Sequence, residues 1–136
     1  MPHICSTLVL TCIDFRFQQS IHDWMESNSI MGDHDRVGIA GGVLNLTHPE
    51  QEQYRSLILK QIEISWNLHH IKKIILINHE DCGAYGGKTA FGSDDQEFSK
   101  HQAELTQAMQ FVKQKFPDIE VETYFARLDG MVTRIM

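Results

Sequence analysis

Apolar residues fall into two patterns along this chain, and each pattern predicts a different element. Continuous short runs, Leu8-Val9-Leu10 and Ile74-Ile75-Leu76-Ile77, read as strands buried on both faces of a parallel sheet. Residues 7–12 and 74–77 are placed on these. Spaced apolar residues read as helices. Ile21, Trp24 and Met25 predict a helix over 17–27, with Trp24 packing on the core. Tyr54, Leu57, Ile58, Ile62 and Leu68 give an apolar face to a helix over 47–70, with Thr47 as cap and Pro49 in its first turn. His69 and His70 sit at its end, where imidazolium suits the helix dipole, with a metal role for the pair as the lesser alternative. Leu105, Ala108, Met109, Val112 and Phe116 stripe a helix over 96–116, with the polar 93–96 segment able to cap it. Three weaker strands complete the set: 36–39, the alternating 119–126, and a short antiparallel strand over 131–136 after the Asp129-Gly130 turn.

The order is βαβαβαββ. It predicts an α/β fold with a mainly parallel central sheet of about four strands, flanked by helices and closed by a short antiparallel C-terminal strand. With 136 residues and no linker, repeat or low-complexity tract, residues 1–136 read as a single domain.

Composition narrows the function classes. The chain is 42% hydrophobic and 22% charged, ordinary for a soluble domain. Its formal charge of -6 and the lack of a Lys/Arg cluster argue against a nucleic-acid partner. No apolar run is long enough to span a bilayer, and the MPHICSTLVL start has no basic leader, so the reading is cytoplasmic with no membrane partner. Three cysteines, an odd number, argue against a disulfide framework. Cys5 reads as a small core residue.

The chemistry gathers at predicted strand ends. The first strand stops in Cys12, followed by Asp14 and Arg16 at alternate positions. The second runs into Ala40-Gly41-Gly42, where paired glycines allow a turn or a close backbone approach. The third ends in Asn78-His79-Glu80-Asp81-Cys82-Gly83. In open α/β sheets, ligands bind outside the carboxyl ends of the strands. If these strands are neighbours, Cys12, His79 and Cys82 converge as two thiols and an imidazole. That set suits zinc and leaves a fourth position open. Glu80 and Asp81 read as solvent-facing, with orientation of His79 as the alternative, and Tyr85 and Lys88 as bordering the cleft. Cys12 to Arg16 is too short for a Cys-x5-Arg phosphatase loop.

Cys12-x-Asp14-x-Arg16 followed by His79-x-x-Cys82-Gly83 resembles the β-class carbonic anhydrases. VGIAGG resembles their second-strand loop, and DGMVTRI their closing hairpin. The resemblance spans nearly the whole chain. It implies Cys12, His79 and Cys82 as zinc ligands, Asp14 and Arg16 as the adjoining catalytic dyad, and Asp14 as a conditional fourth zinc ligand. It implies reversible hydration of carbon dioxide to bicarbonate by zinc hydroxide, and a homodimer or higher homo-oligomer with the cleft at a subunit interface. The sequence departs from the family at Phe15, where Ser is usual, at Gly38-Ile39, where polar residues are usual, and at Asn78, where Gly often stands. The N-terminal helical arm of many members is expected to be missing, since the first core strand begins almost at once. Two alternatives stand beside hydration: hydrolysis of carbonyl sulfide or carbon disulfide on the same scaffold, and a non-catalytic zinc-binding homologue.

Overall fold

The computed structural model describes residues 3–135. Met136, at the end of the expected last strand, and Met1-Pro2 lie outside the described residues. Strands β1 (Thr7–Thr11), β2 (His34–Gly38), β3 (Lys73–His79), β4 (Glu120–Ala126) and β5 (Val132–Arg134) form one sheet in the order β2-β1-β3-β4-β5. The first four are parallel and β5 pairs antiparallel with β4, as expected.

Strand alternation decides how the two faces are covered. Leu8, Leu10, Ile74 and Leu76 face one way, packing with Ile58 and Ile62 of α3 (Glu52–Ile64) and with Leu105, Ala108 and Val112 of α4 (Asp94–Lys115). Val9, Ile75 and Ile77 face the other way, against Ile21 and Met25 of α1 (Gln18–Ser27). Each fully buried Leu or Ile contributes about 1.5–3 kcal/mol relative to exposure. Trp24 is partly buried on the second core, its ring 4.6 Å from that of Tyr124, which is the packing role expected.

The expected 47–70 helix is two helices and a distorted turn. A short α2 (Leu44–Thr47) follows the glycines, residues 48–51 form a break, and α3 ends in a π-turn over Ser65–His69. Thr47 is therefore the last residue of α2 and not a cap. Its hydroxyl bonds the Glu104 carboxylate. Pro49 lies in the break, because the residue before a proline is pushed out of helical conformation; His48 sits at φ -141°, ψ 62°. Gln51 is the extended N-cap of α3, without a side-chain cap. Leu57 and Leu68, assigned to the buried face, are 54% and 51% exposed. β2 begins two residues before the expected 36–39 strand and ends at Gly38. Ser93 caps α4, accepting from Gln96 N–H.

Among the described residues no helix is long and apolar enough to cross a membrane. All three cysteines are free thiols.

Candidate metal centre

Chain order fixes where the site lies. From β1 the chain crosses to β2 on one side, and β3 lies on the other. This divergence opens a crevice at the carboxyl ends of β1 and β3. Cys12 is the first residue after β1, and His79 is the last residue of β3. Cys82 follows through a tight turn in which Asp81 adopts φ +59°.

The three side chains converge. Cys12 Sγ, a His79 ring nitrogen and Cys82 Sγ lie within 4.8 Å of one another. His79 Nδ1 is 2.7 Å from its neighbour's carbonyl, Glu80 O, and so carries the proton as donor. That leaves Nε2 as the lone-pair nitrogen. It is buried and has no hydrogen-bond partner. A buried polar atom without a partner is costly, and one facing two sulfurs is the donor a metal ion would satisfy. The Phe17 ring, 4.3 Å from the imidazole, walls the other side.

The two sulfurs share charge. The Cys12 thiol is held far below its ordinary value, first by the hydrogen bond from Cys82 and also by that from the Gly41 N–H, against the cost of burial. Cys82 is pushed up, as donor in the same pair and by burial. The Gly41 N–H reaches Cys12 Sγ at 3.4 Å. Both glycines are needed for this approach. Gly41 and Gly42 have φ +86° and +52°, and a Cβ on Gly41 would meet the Ala84 Cβ at 3.0 Å. The paired glycines thus line the site.

Asp14 and Arg16 form a fork-on-fork pair beside the cluster. Arg16 Nη2 donates to Asp14 Oδ2 at 2.7 Å, and Nε donates to Oδ1 at 3.1 Å. This pair holds the Asp14 carboxyl down at about 2. Asp14 Oδ2 stands 3.9 Å from His79 Nε2. Arg16 is held in turn by Asp81, through Oδ2 at 3.0 Å and the backbone carbonyl at 2.9 Å.

Glu80 and Asp81 are therefore not the solvent-facing residues expected. Glu80 bonds Lys88 Nζ and accepts the Leu128 N–H. Asp81 bonds Arg16 and accepts the Lys88 N–H at 2.7 Å. Buried Glu97 completes the frame, accepting the Asp81 N–H at 2.7 Å and the Lys88 ammonium at 3.1 Å. Lys88 thus braces the turn and does not line the cleft. Tyr85 lies beneath the site, bonded to buried Asn78, which also reaches His101 Nδ1 at 3.0 Å. Glu97 and His101 are residues that sequence reading missed. Their signal was present: they continue the helical spacing of Leu105, Ala108 and Val112, so polar residues occupy positions of the buried stripe.

The cleft over the cluster has a volume of about 540 Å³. Its rim carries Ile13 and Phe15, which are 61% and 84% exposed.

Comparisons with known proteins bear on the family and the fold. Residues 3–136 match the family model described as "Putative carbonic anhydrase". Uncharacterized proteins of Rickettsia conorii and Rickettsia bellii are each 33% identical over 133 residues, covering 96% of this chain and 72% and 81% of their own. The carbonic anhydrase of Streptococcus mutans superposes with a TM-score of 0.60 at 16% identity, over all of this chain and 86% of that one. A tetrameric beta-carbonic anhydrase of Sordaria macrospora gives 0.68 at 14% identity, over 97% and 81%. These likenesses show the fold, the family match spans almost the whole sequence, and the chain belongs to the β-carbonic anhydrase-like family.

Proposed function

We propose that this protein catalyses the reversible hydration of carbon dioxide to bicarbonate, with zinc held by Cys12, His79 and Cys82. The observation that carries the reading is the buried, unpartnered His79 Nε2 converging on two sulfurs. Two sulfurs and one imidazole suit zinc and leave a position for a small ligand. When bound, the metal supplies a Lewis acid that makes water nucleophilic near neutral pH.

The chain's own residues do the rest. Arg16 occupies the outer edge of the Asp14 carboxylate and fixes its plane. Asp14, ionised at neutral pH, accepts the O–H of the attacking water and aims its lone pair at the substrate carbon. The tie from Arg16 to Asp81 keeps the dyad in register with the turn that bears Cys82. Asp14 binds metal only if it leaves Arg16, and the fork-on-fork pair favours the orienting role. Ile13 and Phe15 form an apolar rim suited to an uncharged linear substrate. They also suit burial against a second copy, in a homodimer or higher oligomer. With no membrane-spanning helix among the described residues, a cytoplasmic location fits.

The test combines metal analysis with stopped-flow hydration of carbon dioxide. The native chain is expected to hydrate carbon dioxide, and Cys82→Ser to lose one metal equivalent together with the activity. Unchanged metal content in Cys82→Ser would sink the reading. The apolar rim also supports a second reading, hydrolysis of carbonyl sulfide or carbon disulfide. Sulfide release faster than bicarbonate formation would select it. Metal bound without either activity would select a non-catalytic homologue.

A further inference from the structure

A second group of metal-binding side chains lies at the opposite end of the sheet. Cys5 and Cys12 flank β1 seven positions apart, about 23 Å along an extended strand. The Cys5 thiol, a carboxylate oxygen of Asp35 and a ring nitrogen of His69 lie within 4.8 Å of one another. Cys5 N–H donates to His69 O at 3.0 Å, tying the segment before β1 to the π-turn after α3. His3 stands against His69, its Nε2 3.1 Å from His69 Nε2.

The hydrogen bonds decide which atoms are free. Asp35 Oδ2 accepts from Ser65 Oγ and sits 2.6 Å from His69 Nδ1. This fixes the His69 proton on Nδ1 and turns the Nε2 lone pair toward His3. A carboxylate holding one imidazole nitrogen while the other faces outward is the usual support for a histidine ligand. The two facing nitrogens are also close to the spacing of a shared ion. Nitrogens bound at about 2.0–2.1 Å in tetrahedral geometry lie about 3.3 Å apart. Without an ion, the same spacing requires His3 Nε2 to keep a proton and donate it to His69. With one, His3 presents its Nε2 lone pair and the Cys5 thiol releases its proton.

We propose that His3, Cys5 and His69, with Asp35 orienting His69, form a second site for a divalent transition metal such as zinc. The ion would clasp the segment before β1 to β2 and to the end of α3. It is independent of the Cys12 cluster. Its donors are half-buried or exposed, so it exchanges with solvent more readily.

The metal-free native chain is titrated with zinc, and bound metal is counted after removal of the free ion. Two ions per chain are expected. His3→Ala and Cys5→Ser should each take up one, with carbon dioxide hydration as in the native chain, since neither residue is near the first cluster. Asp35→Asn should weaken the second ion about 10–100-fold, as loss of a supporting carboxylate does. Cobalt in place of zinc gives a second readout: part of the thiolate-to-cobalt absorption should vanish in Cys5→Ser. His3 is exposed, so its removal does not threaten folding. A native chain that binds a single ion, or a His3→Ala chain that binds as many as the native, overturns the proposal. Loss of metal from Cys82→Ser alone bears on the first cluster and leaves this one to be decided by His3→Ala.

Discussion

The two ends of the sheet carry the same kinds of side chain in opposite settings. At the carboxyl end, Cys82 and His79 are buried, and the turn between them is fixed by Arg16, Lys88 and Glu97. At the amino end, His69 and Asp35 keep 21% and 31% of their side-chain surface, and His3 is exposed. Convergence of metal-binding types of side chain is common to both. What differs is how much of the surrounding structure prevents them from moving. A donor that cannot turn away loses little entropy on binding, so the carboxyl end suits tight retention of an ion, as proposed. At the amino end the backbone is tied by the Cys5 N–H to His69 O, while the His3 side chain is held by one imidazole hydrogen bond.

Breaking the carboxyl end should produce the largest effect. Cys82→Ser or His79→Ala is expected to reduce carbon dioxide hydration to background, measured by stopped flow, with one metal equivalent lost per chain. An active Cys82→Ser chain would show that the cluster is not the catalytic centre.

Next in size is the frame behind it. Glu97→Ala leaves the Asp81 N–H without its acceptor and Lys88 short of one carboxylate. Leaving a buried donor unsatisfied costs about 1–3 kcal/mol, readable as a lower urea midpoint. Metal affinity should fall about 10–100-fold, as it does when supporting partners are removed. An unchanged midpoint with unchanged affinity would mean that the frame is not needed.

The dyad should give a smaller, pH-dependent effect. The Asp14 carboxyl is held at about 2, below its ordinary 3.8. Its folded value is depressed, so its contribution to stability is present above about pH 4 and is lost as pH falls from there toward 2. Asp14→Asn should flatten that part of the acid-unfolding curve and lower hydration at neutral pH. A native curve no steeper than that of Asp14→Asn below pH 4 would contradict the pairing.

The smallest effect sharpens the contrast from the other side. In metal-free protein, His3→Ala should change stability by no more than about 0.5 kcal/mol, as for an exposed residue. With zinc present both chains should gain in thermal midpoint through the first ion, and the native chain should gain more than the variant, because a second ion that binds only the folded state stabilises it further. Equal gains would remove the distinction between the two ends.

Much of this was legible before any coordinates. Runs such as Ile74-Ile75-Leu76-Ile77 have no polar side, so they specify strands covered on both faces. Cys12, Asp14 and Arg16 follow one such run, and His79 and Cys82 another, so their chemistry could be read from strand ends. The start of the 47–70 segment was misread because Thr47 and Pro49 are residue types that suit a cap and a first turn, and residue type alone does not register the backbone restriction that proline places on His48. Glu97 and Lys88 were missed or misassigned because their roles depend on partners 16 and 7 residues away at Asp81. Cys5, His69 and His3 looked unrelated because 66 positions separate His3 from His69.

The sequence by itself determined most of the elements, the parallel sheet, and that Cys12, His79 and Cys82 stand at strand ends. Those follow from local side-chain periodicity and from which residues end each strand. Only the tertiary structure decided that β1 and β3 are neighbours, that His79 Nε2 is left without a partner, that Glu80 and Asp81 are braced from α4, and that a second set of donors meets at the far end. Each of those depends on distances across the sheet, and a linear order of residues carries no such distances.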